Sequence, residues 1–134
     1  MSIDELAAFE KSVIAQAPRG AVVVGTSISP DGRYGAALTL LPTAGDYLMD
    51  DLFIRVGDTW ETYGGGNAGI CWTSLDADSE TGVLRYGDEA PAETSVAWIR
   101  YEGSDHRVPI QHGHFLFVAW RTRFAEDPRV IRFE

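Results

Sequence analysis

The chain of 134 residues has one cysteine, one lysine and no long hydrophobic run. The single cysteine, Cys71, excludes an intramolecular disulfide framework and a zinc site built from several cysteines, and it favours a reducing compartment. No apolar stretch approaches the roughly 18 residues that a membrane-spanning helix needs. The sequence starts with acidic residues where a signal peptide has basic ones, so we expect a cytoplasmic protein.

Positive charge is scarce as well. Eleven Lys and Arg residues stand against 20 Asp and Glu residues, which gives a net charge of −9. Nucleic acid and an anionic membrane surface would repel such a protein at long range, so we expect neither as a partner. A basic protein remains open as a partner.

Hydrophobic residues are abundant by comparison. They make up 45% of the chain, and 11% of all residues are aromatic. This composition supplies enough apolar surface for a folded core, and the length is typical of one domain. We therefore predict a single domain over residues 1–134, and we expect no cofactor.

The first 19 residues have the pattern of an α-helix. Ser2 and Glu5 have the spacing of a capping box, and Pro18 with Gly20 predicts the end of the helix. Apolar residues recur at helical spacing between these signals. The predicted apolar stripe consists of Ile3, Leu6, Ala7, Val13, Ile14 and Ala17, with Phe9 at its border.

After Gly20 the sequence is typical of short strands separated by turns. The segment Ser29–Gly32 predicts a β-hairpin turn, because proline presets φ and glycine accepts a positive φ. Gly57–Asp58 predicts a second hairpin. Residues 95–101, 107–110 and 115–120 predict a three-strand meander, and the last of these strands is apolar on both faces, which favours a central position in the sheet.

These elements together predict a mainly β fold. Strands at short, regular spacing indicate an antiparallel β-sandwich of about seven to nine strands over residues 20–134. The N-terminal α-helix of residues 1–19 is expected to pack on this sandwich.

Acidic residues are concentrated in the middle of the chain. Residues 61–105 contain nine acidic and two basic residues, and most of the acidic ones fall in two predicted loops, which we expect at the same end of the sandwich. The leading hypothesis is a non-catalytic interaction protein that binds a basic protein through these loops or through an exposed sheet edge. One version is an immunity-like or antitoxin-like inhibitor of a nuclease. The candidate partner-binding residues are Asp76, Asp78, Glu80, Asp88, Glu89 and Glu93.

Four tryptophans support an alternative hypothesis. Trp60 and Trp72, together with the glycine-rich segment that contains Gly64 and Gly66, could line a groove for a small molecule or a carbohydrate. The spacing of Gly64, Gly66 and Gly69 matches that of a dinucleotide-binding loop, but no helix follows, so this function is not expected. Ordinary core packing of the tryptophans remains open.

All three histidines fall within nine residues. His106, His112 and His114 could bind a metal ion such as zinc near the ends of one hairpin, which would make the protein a metal-dependent enzyme. The other interpretation is that they are exposed turn residues. We expect His112 itself to lie in the turn.

The C-terminal part of the chain is the only basic one. Arg121 and Arg123 alternate in a predicted strand and therefore share a face. With Arg129 or Arg132 they could form an anion-binding patch. Alternatively, they form surface ion pairs with the acidic loops or with Glu126 and Asp127.

Three stretches resemble a group of small uncharacterised proteins of high-GC actinobacteria. They are Ile28 to Arg33, Gly82 to Pro91, and Val108 to Trp120 with its Val-Pro-Ile and Gly-His-Phe segments. The resemblance covers roughly residues 20–133 and consists of turn and core signatures. It implies the same mainly β fold, and it implies no activity or site residue.

Overall fold

The computed structural model describes residues 2–76 and 80–134. Within these ranges the chain forms one α-helix and ten β-strands, so the predicted mainly β architecture with an N-terminal helix is confirmed. The elements in chain order are α1 (Ile3–Gln16), β1 (Val22–Ile28), β2 (Tyr34–Leu41), β3 (Tyr47–Val56), β4 (Thr59–Asn67), β5 (Gly69–Ser74), β6 (Gly82–Glu89), β7 (Val96–Tyr101), β8 (Ser104–Pro109), β9 (His114–Thr122) and β10 (Arg129–Phe133).

The chain divides into two compact units, Met1–Ala68 and Gly69–Glu134. Each unit has its own cluster of buried hydrophobic side chains. That residues 1–134 form a single domain stays a prediction. No helix in the described parts of the chain has the length and apolar character needed to cross a membrane.

In the first unit, α1 packs on a sheet through a narrow apolar stripe. Its N-terminus is capped as predicted, since the Ser2 hydroxyl accepts a hydrogen bond from the Glu5 amide at 3.1 Å. Phe9 is fully buried and lies at the centre of the contact, not at its border. Ile3, Ala7 and Ile14 are exposed, so their predicted places in the stripe are wrong. The helix face that packs on the sheet consists of Leu6, Phe9 and Val13, which recur at helical spacing.

The sheet of the first unit is antiparallel with the order β1-β2-β3-β4. Both predicted hairpins are confirmed. In the first, the Ser29 hydroxyl donates a hydrogen bond to the Asp31 carboxylate at 2.6 Å, and Gly32 has a φ of 76°. In the second, Val56 pairs with Thr59 across the turn. The glycine-rich segment from Gly64 to Gly66 belongs to β4 and pairs with β3.

The second unit is a β-sandwich of two antiparallel three-stranded sheets. Their strand orders are β5-β6-β9 and β10-β7-β8. Side chains from both sheets form one buried cluster, which includes Leu84, Ile99, Phe115 and Phe117. Because both inner faces contribute to this core, the predicted sandwich is confirmed in this unit.

The predicted meander of three strands is only partly correct. β7 and β8 form a hairpin, but β9 pairs with β6 in the other sheet. β9 is also an edge strand instead of a central one, with Phe115 and Phe117 buried and with Leu116, Val118 and Trp120 of its other face only half-buried. The central strand of this sheet is β6, which pairs with both β5 and β9 and is buried from Gly82 to Arg85. The helix packs on the sheet of its own unit.

Candidate functional site

The three histidines lie in three different environments. His106 is exposed on β8, with its ring 5.0 Å from the ring of Phe117. His112 lies in the predicted turn with a φ of 54°. His114 is buried at the start of β9, where its Nδ1 donates to the His112 carbonyl oxygen at 2.8 Å. Among the described residues, no three His, Cys, Asp or Glu side chains are grouped to hold a metal ion.

Of the tryptophans and glycines singled out from the sequence, Trp60, Gly64 and Gly66 belong to the first unit and Trp72 belongs to the second. Trp60 is 7% exposed and packs on Phe9, with ring centroids 4.7 Å apart. Gly64 and Gly66 lie further along β4 with open space beside them. In the second unit, the Trp72 indole donates to the Thr122 carbonyl oxygen at 3.4 Å and packs against the core. Core packing therefore accounts for both tryptophans.

The two acidic segments lie at opposite ends of β6. Asp76 and Glu80 lie before its first residue, whereas Asp88 and Glu89 form its last two residues. The expectation that both segments face the same end of the sandwich is therefore wrong, because an eight-residue strand is about 25 Å long. Asp78 lies outside the described residues.

Arginine side chains contact the first acidic segment. Arg121 Nη1 lies 2.8 Å from Asp76 Oδ2, and Arg123 Nη2 lies 3.2 Å from Glu80 Oε2. Of the two alternatives for these arginines, the structure contains the ion pairs with an acidic segment. The pairs balance the charges of both partners locally.

The second acidic segment has no such contact. The Asp88 carboxylate accepts a hydrogen bond from the Glu89 amide at 2.7 Å. Glu93 is exposed and has a φ of 65°. No Lys or Arg side chain of the described chain forms an ion pair with Asp88, Glu89 or Glu93. This segment therefore presents its negative charge to solvent.

Next to the Arg121 and Arg123 ion pairs lies a groove of about 510 Å³, which we call the β8–β9 groove. It lies in the second unit between β8 and β9, which are edge strands of the two sheets. Its volume is within the range of small-molecule sites. The side chains that matter most for its chemistry are Tyr101, Glu102, His106, Trp120, Arg121 and Arg123.

A β-bulge sets the position of Arg121 in this groove. Gly82 pairs with Thr122 and Leu84 pairs with Ala119, so Trp120 and Arg121 both lie opposite the single residue Val83. Arg121 has a φ of 53°, in the left-handed region that costs a non-glycine residue about 1–2 kcal/mol. Bulges redirect side chains and are frequent next to binding sites. Here the bulge turns Arg121 toward the groove.

The hairpin between β7 and β8 places Glu102 at the opposite wall. Glu102 and Gly103 have φ values of 50° and 77° and connect the paired residues Tyr101 and Ser104. Positive φ at both central residues is the signature of a type I′ turn, which matches the twist of the two strands. The Glu102 amide donates to Glu126 Oε1 at 2.5 Å, which holds this turn in place.

A chain of hydrogen bonds crosses the floor of the groove. The Tyr101 hydroxyl lies 2.8 Å from Thr122 Oγ1, and Thr122 Oγ1 lies 3.3 Å from Glu102 Oε1. The carboxylate of Glu102 only accepts, whereas either hydroxyl can donate in the contact between Tyr101 and Thr122. Burial raises the pKa of Tyr101, the hydrogen bond with Thr122 acts in the opposite direction, and the charge of Glu102 raises it again. The phenol therefore stays protonated at neutral pH.

The groove was only partly foreseen from the sequence. Two-residue alternation identified Arg121 and Arg123, and the histidine cluster included His106. Trp120 is one of the four tryptophans counted above, but nothing singled it out among them, because it lies in a strand that is apolar on both faces. Glu102 had none either, because its position depends on which turn joins β7 to β8. Arg129 and Arg132 lie on β10 and do not line the groove.

No protein-family model, curated protein or solved structure matches the chain. The resemblance to actinobacterial proteins stays a prediction.

Proposed function

We propose that this protein is a non-catalytic binding protein that takes a small polar molecule in the β8–β9 groove. The observation that carries the proposal is the backbone of Arg121, a residue other than glycine held at a positive φ beside Trp120. Glycine would fit this backbone better, so the bulge pays a conformational cost to hold a guanidinium at the wall of a groove. Such strain clusters at binding and active sites, and of the six non-glycine residues with a positive φ in the described chain, Glu102 and Arg121 line the groove.

The surroundings of Arg121 support a binding role. Aromatic rings, hydroxyl groups, a carboxylate and two guanidinium groups line one concave surface. Pockets that combine apolar ring faces with a few converging polar groups are the usual sites of small-molecule binding. The single cysteine, Cys71, fits a cytoplasmic location for this function.

The test is a fragment screen by protein-observed NMR on the intact chain. We expect hits that shift the Trp120 indole signal and the amide signals of Thr122 and Arg123. The same hits should weaken in Arg121→Gly, which removes the guanidinium and suits the backbone. Glu93→Gly is the matched control, since Glu93 also has a positive φ and lies outside the groove. Hits that cluster elsewhere, or that bind Arg121→Gly equally well, would refute the proposal.

A second candidate function follows from the other acidic segment. Asp88, Glu89 and Glu93 present unbalanced negative charge, which would speed the encounter with a basic protein surface. This favours the inhibitor hypothesis at this segment alone. Co-purification from the native host at low and moderate salt tests it, with the triple charge-reversal variant Asp88→Lys, Glu89→Lys, Glu93→Lys as the control. A partner retained equally by this variant would exclude the segment as its binding site.

A further inference from the structure

We propose that the ligand of the β8–β9 groove is a neutral, hydroxyl-rich ring, that is, a pyranose sugar. This inference rests on the proposed function and names the class of molecule that the groove would take. It follows from the balance of charge in the groove, from the kinds of hydrogen-bonding groups that line it and from its ring faces.

Charges of both signs line the groove and disfavour an ionic ligand. An anion would approach Glu102 and would compete with Asp76 and Glu80 for the two arginines. A cation would approach the guanidinium groups of Arg121 and Arg123. A neutral ligand meets neither repulsion, because each arginine already contacts a carboxylate of the same chain.

The polar groups of the groove suit hydroxyl groups. An ion pair between a guanidinium and a carboxylate presents N–H donors and oxygen acceptors side by side. A hydroxyl group both donates and accepts, so neighbouring hydroxyls on a sugar ring can use both kinds of group at once. The hydroxyl of Ser104 and the carboxylate of Glu102 add a donor and further acceptors to the lining of the groove.

Aromatic ring faces in the groove also favour a sugar ring. Trp120 and His106 line the same groove. The face of an aromatic ring carries partial negative charge and attracts the slightly positive C–H groups of a sugar ring. A small polar molecule without such a face would leave the apolar part of the groove unused.

The test is an NMR titration of the intact chain with three classes of probe. The first is a set of methyl pyranosides, the second is inorganic phosphate, and the third is tetramethylammonium. Each is used at about 20 mM, which fills most of a site with a millimolar Kd. A parallel titration uses soluble oligosaccharides that are built from the same sugars. Tighter binding of oligosaccharides would identify a glycan as the ligand, and equal binding would identify a free sugar.

We expect at least one pyranoside to shift the Trp120 indole signal with an affinity that stays constant between about 0.05 and about 0.5 M sodium chloride. Arg121→Gly should weaken this binding about tenfold or more, because a hydrogen bond from a charged donor is lost, and Glu93→Gly should not change it. Groove shifts with phosphate or tetramethylammonium, and with no pyranoside, would overturn the ligand class while leaving a binding groove. No groove shift with any probe or with any hit of the fragment screen would overturn the proposed function itself.

Discussion

Arg121 contacts the Asp76 carboxylate at 2.8 Å from a backbone position that has a φ of 53°. The contact joins the end of β9 to the segment that precedes β6. It is a partly exposed ion pair, which contributes about 0–1 kcal/mol to stability. The strain at Arg121 costs as much or more, so stability alone does not account for an arginine at this position.

The first prediction follows from this comparison. Arg121→Gly should leave the free energy of unfolding unchanged within about 1 kcal/mol, because relief of strain offsets the lost ion pair. Arg121→Ala should be less stable than Arg121→Gly by about 1 kcal/mol, since alanine keeps the strain. Urea denaturation measures both. At Arg123, which has no positive φ, glycine should have no such advantage over alanine, and an equal advantage there would contradict the account of the bulge.

The second prediction concerns Gly82, where β6 lies close to β5. A Cβ at this position would lie 2.1 Å from the Thr73 carbonyl oxygen, so Gly82→Ala forces β5 and β6 apart. We expect a loss of about 1–3 kcal/mol in the free energy of unfolding, as for other overpacked sites. Gly66→Ala is the control, because a Cβ there meets nothing within 4 Å. Equal effects of the two substitutions in thermal denaturation would count against the described register of β5 and β6.

The helix contact gives the third prediction. Phe9 is fully buried against the rings of Phe53 and Trp60, so Phe9→Ala should cost about 3–5 kcal/mol. Ile14 is exposed, so Ile14→Ala should change stability by less than about 0.5 kcal/mol. Circular dichroism during urea denaturation compares them. A larger effect of Ile14→Ala would restore the apolar stripe expected from the sequence.

Two carboxyl groups should affect the pH dependence of stability in opposite directions. Burial, and then the charge of Asp50, raises the pKa of Asp51 above its usual 3.8. A hydrogen bond from Arg100 lowers the pKa of Asp105. A raised pKa in the folded state means that stability falls as the pH rises from below 3.8 through the folded-state pKa. A lowered pKa means that stability is present above 3.8 and is lost as the pH falls through the folded-state pKa.

Asp51→Asn should therefore be more stable than the wild type at neutral pH, and the difference should disappear below pH 3.8. Asp105→Asn should be less stable at neutral pH, and its difference should disappear only at the lower, folded-state pKa of Asp105. Thermal denaturation across this pH range measures both variants. The same sign of effect for both at neutral pH would contradict the described environments.

Local signals predicted the local parts of this fold well. The Ser29–Gly32 turn, the Gly57–Asp58 turn and the cap at Ser2 each depend on residues next to one another in the chain, and all three are confirmed. The partner of β9 is a non-local choice. A strand that is apolar on both faces fits a central position in a sheet as well as an edge position beside a groove. No local feature of the β9 sequence distinguishes these two positions.

The candidate site depends on such non-local choices. Trp120 and Arg121 line the groove because β9 has one residue more than β6 between two paired positions. Glu102 reaches it because a two-residue turn joins β7 to β8. The alternation of Arg121 and Arg123 was visible in the sequence. Ion pairs with the acidic segments were only one of two alternatives for these arginines, because pairing between residues 43 or 45 positions apart depends on the fold.

The central claim is that the β8–β9 groove binds a small polar molecule and that Arg121 takes part in binding. The most direct measurement is the affinity of the best fragment or pyranoside for the wild type, for Arg121→Gly and for Glu93→Gly, followed through the Trp120 indole signal. The account predicts a loss of about tenfold or more in Arg121→Gly and no change in Glu93→Gly. Equal affinity for all three proteins would contradict it.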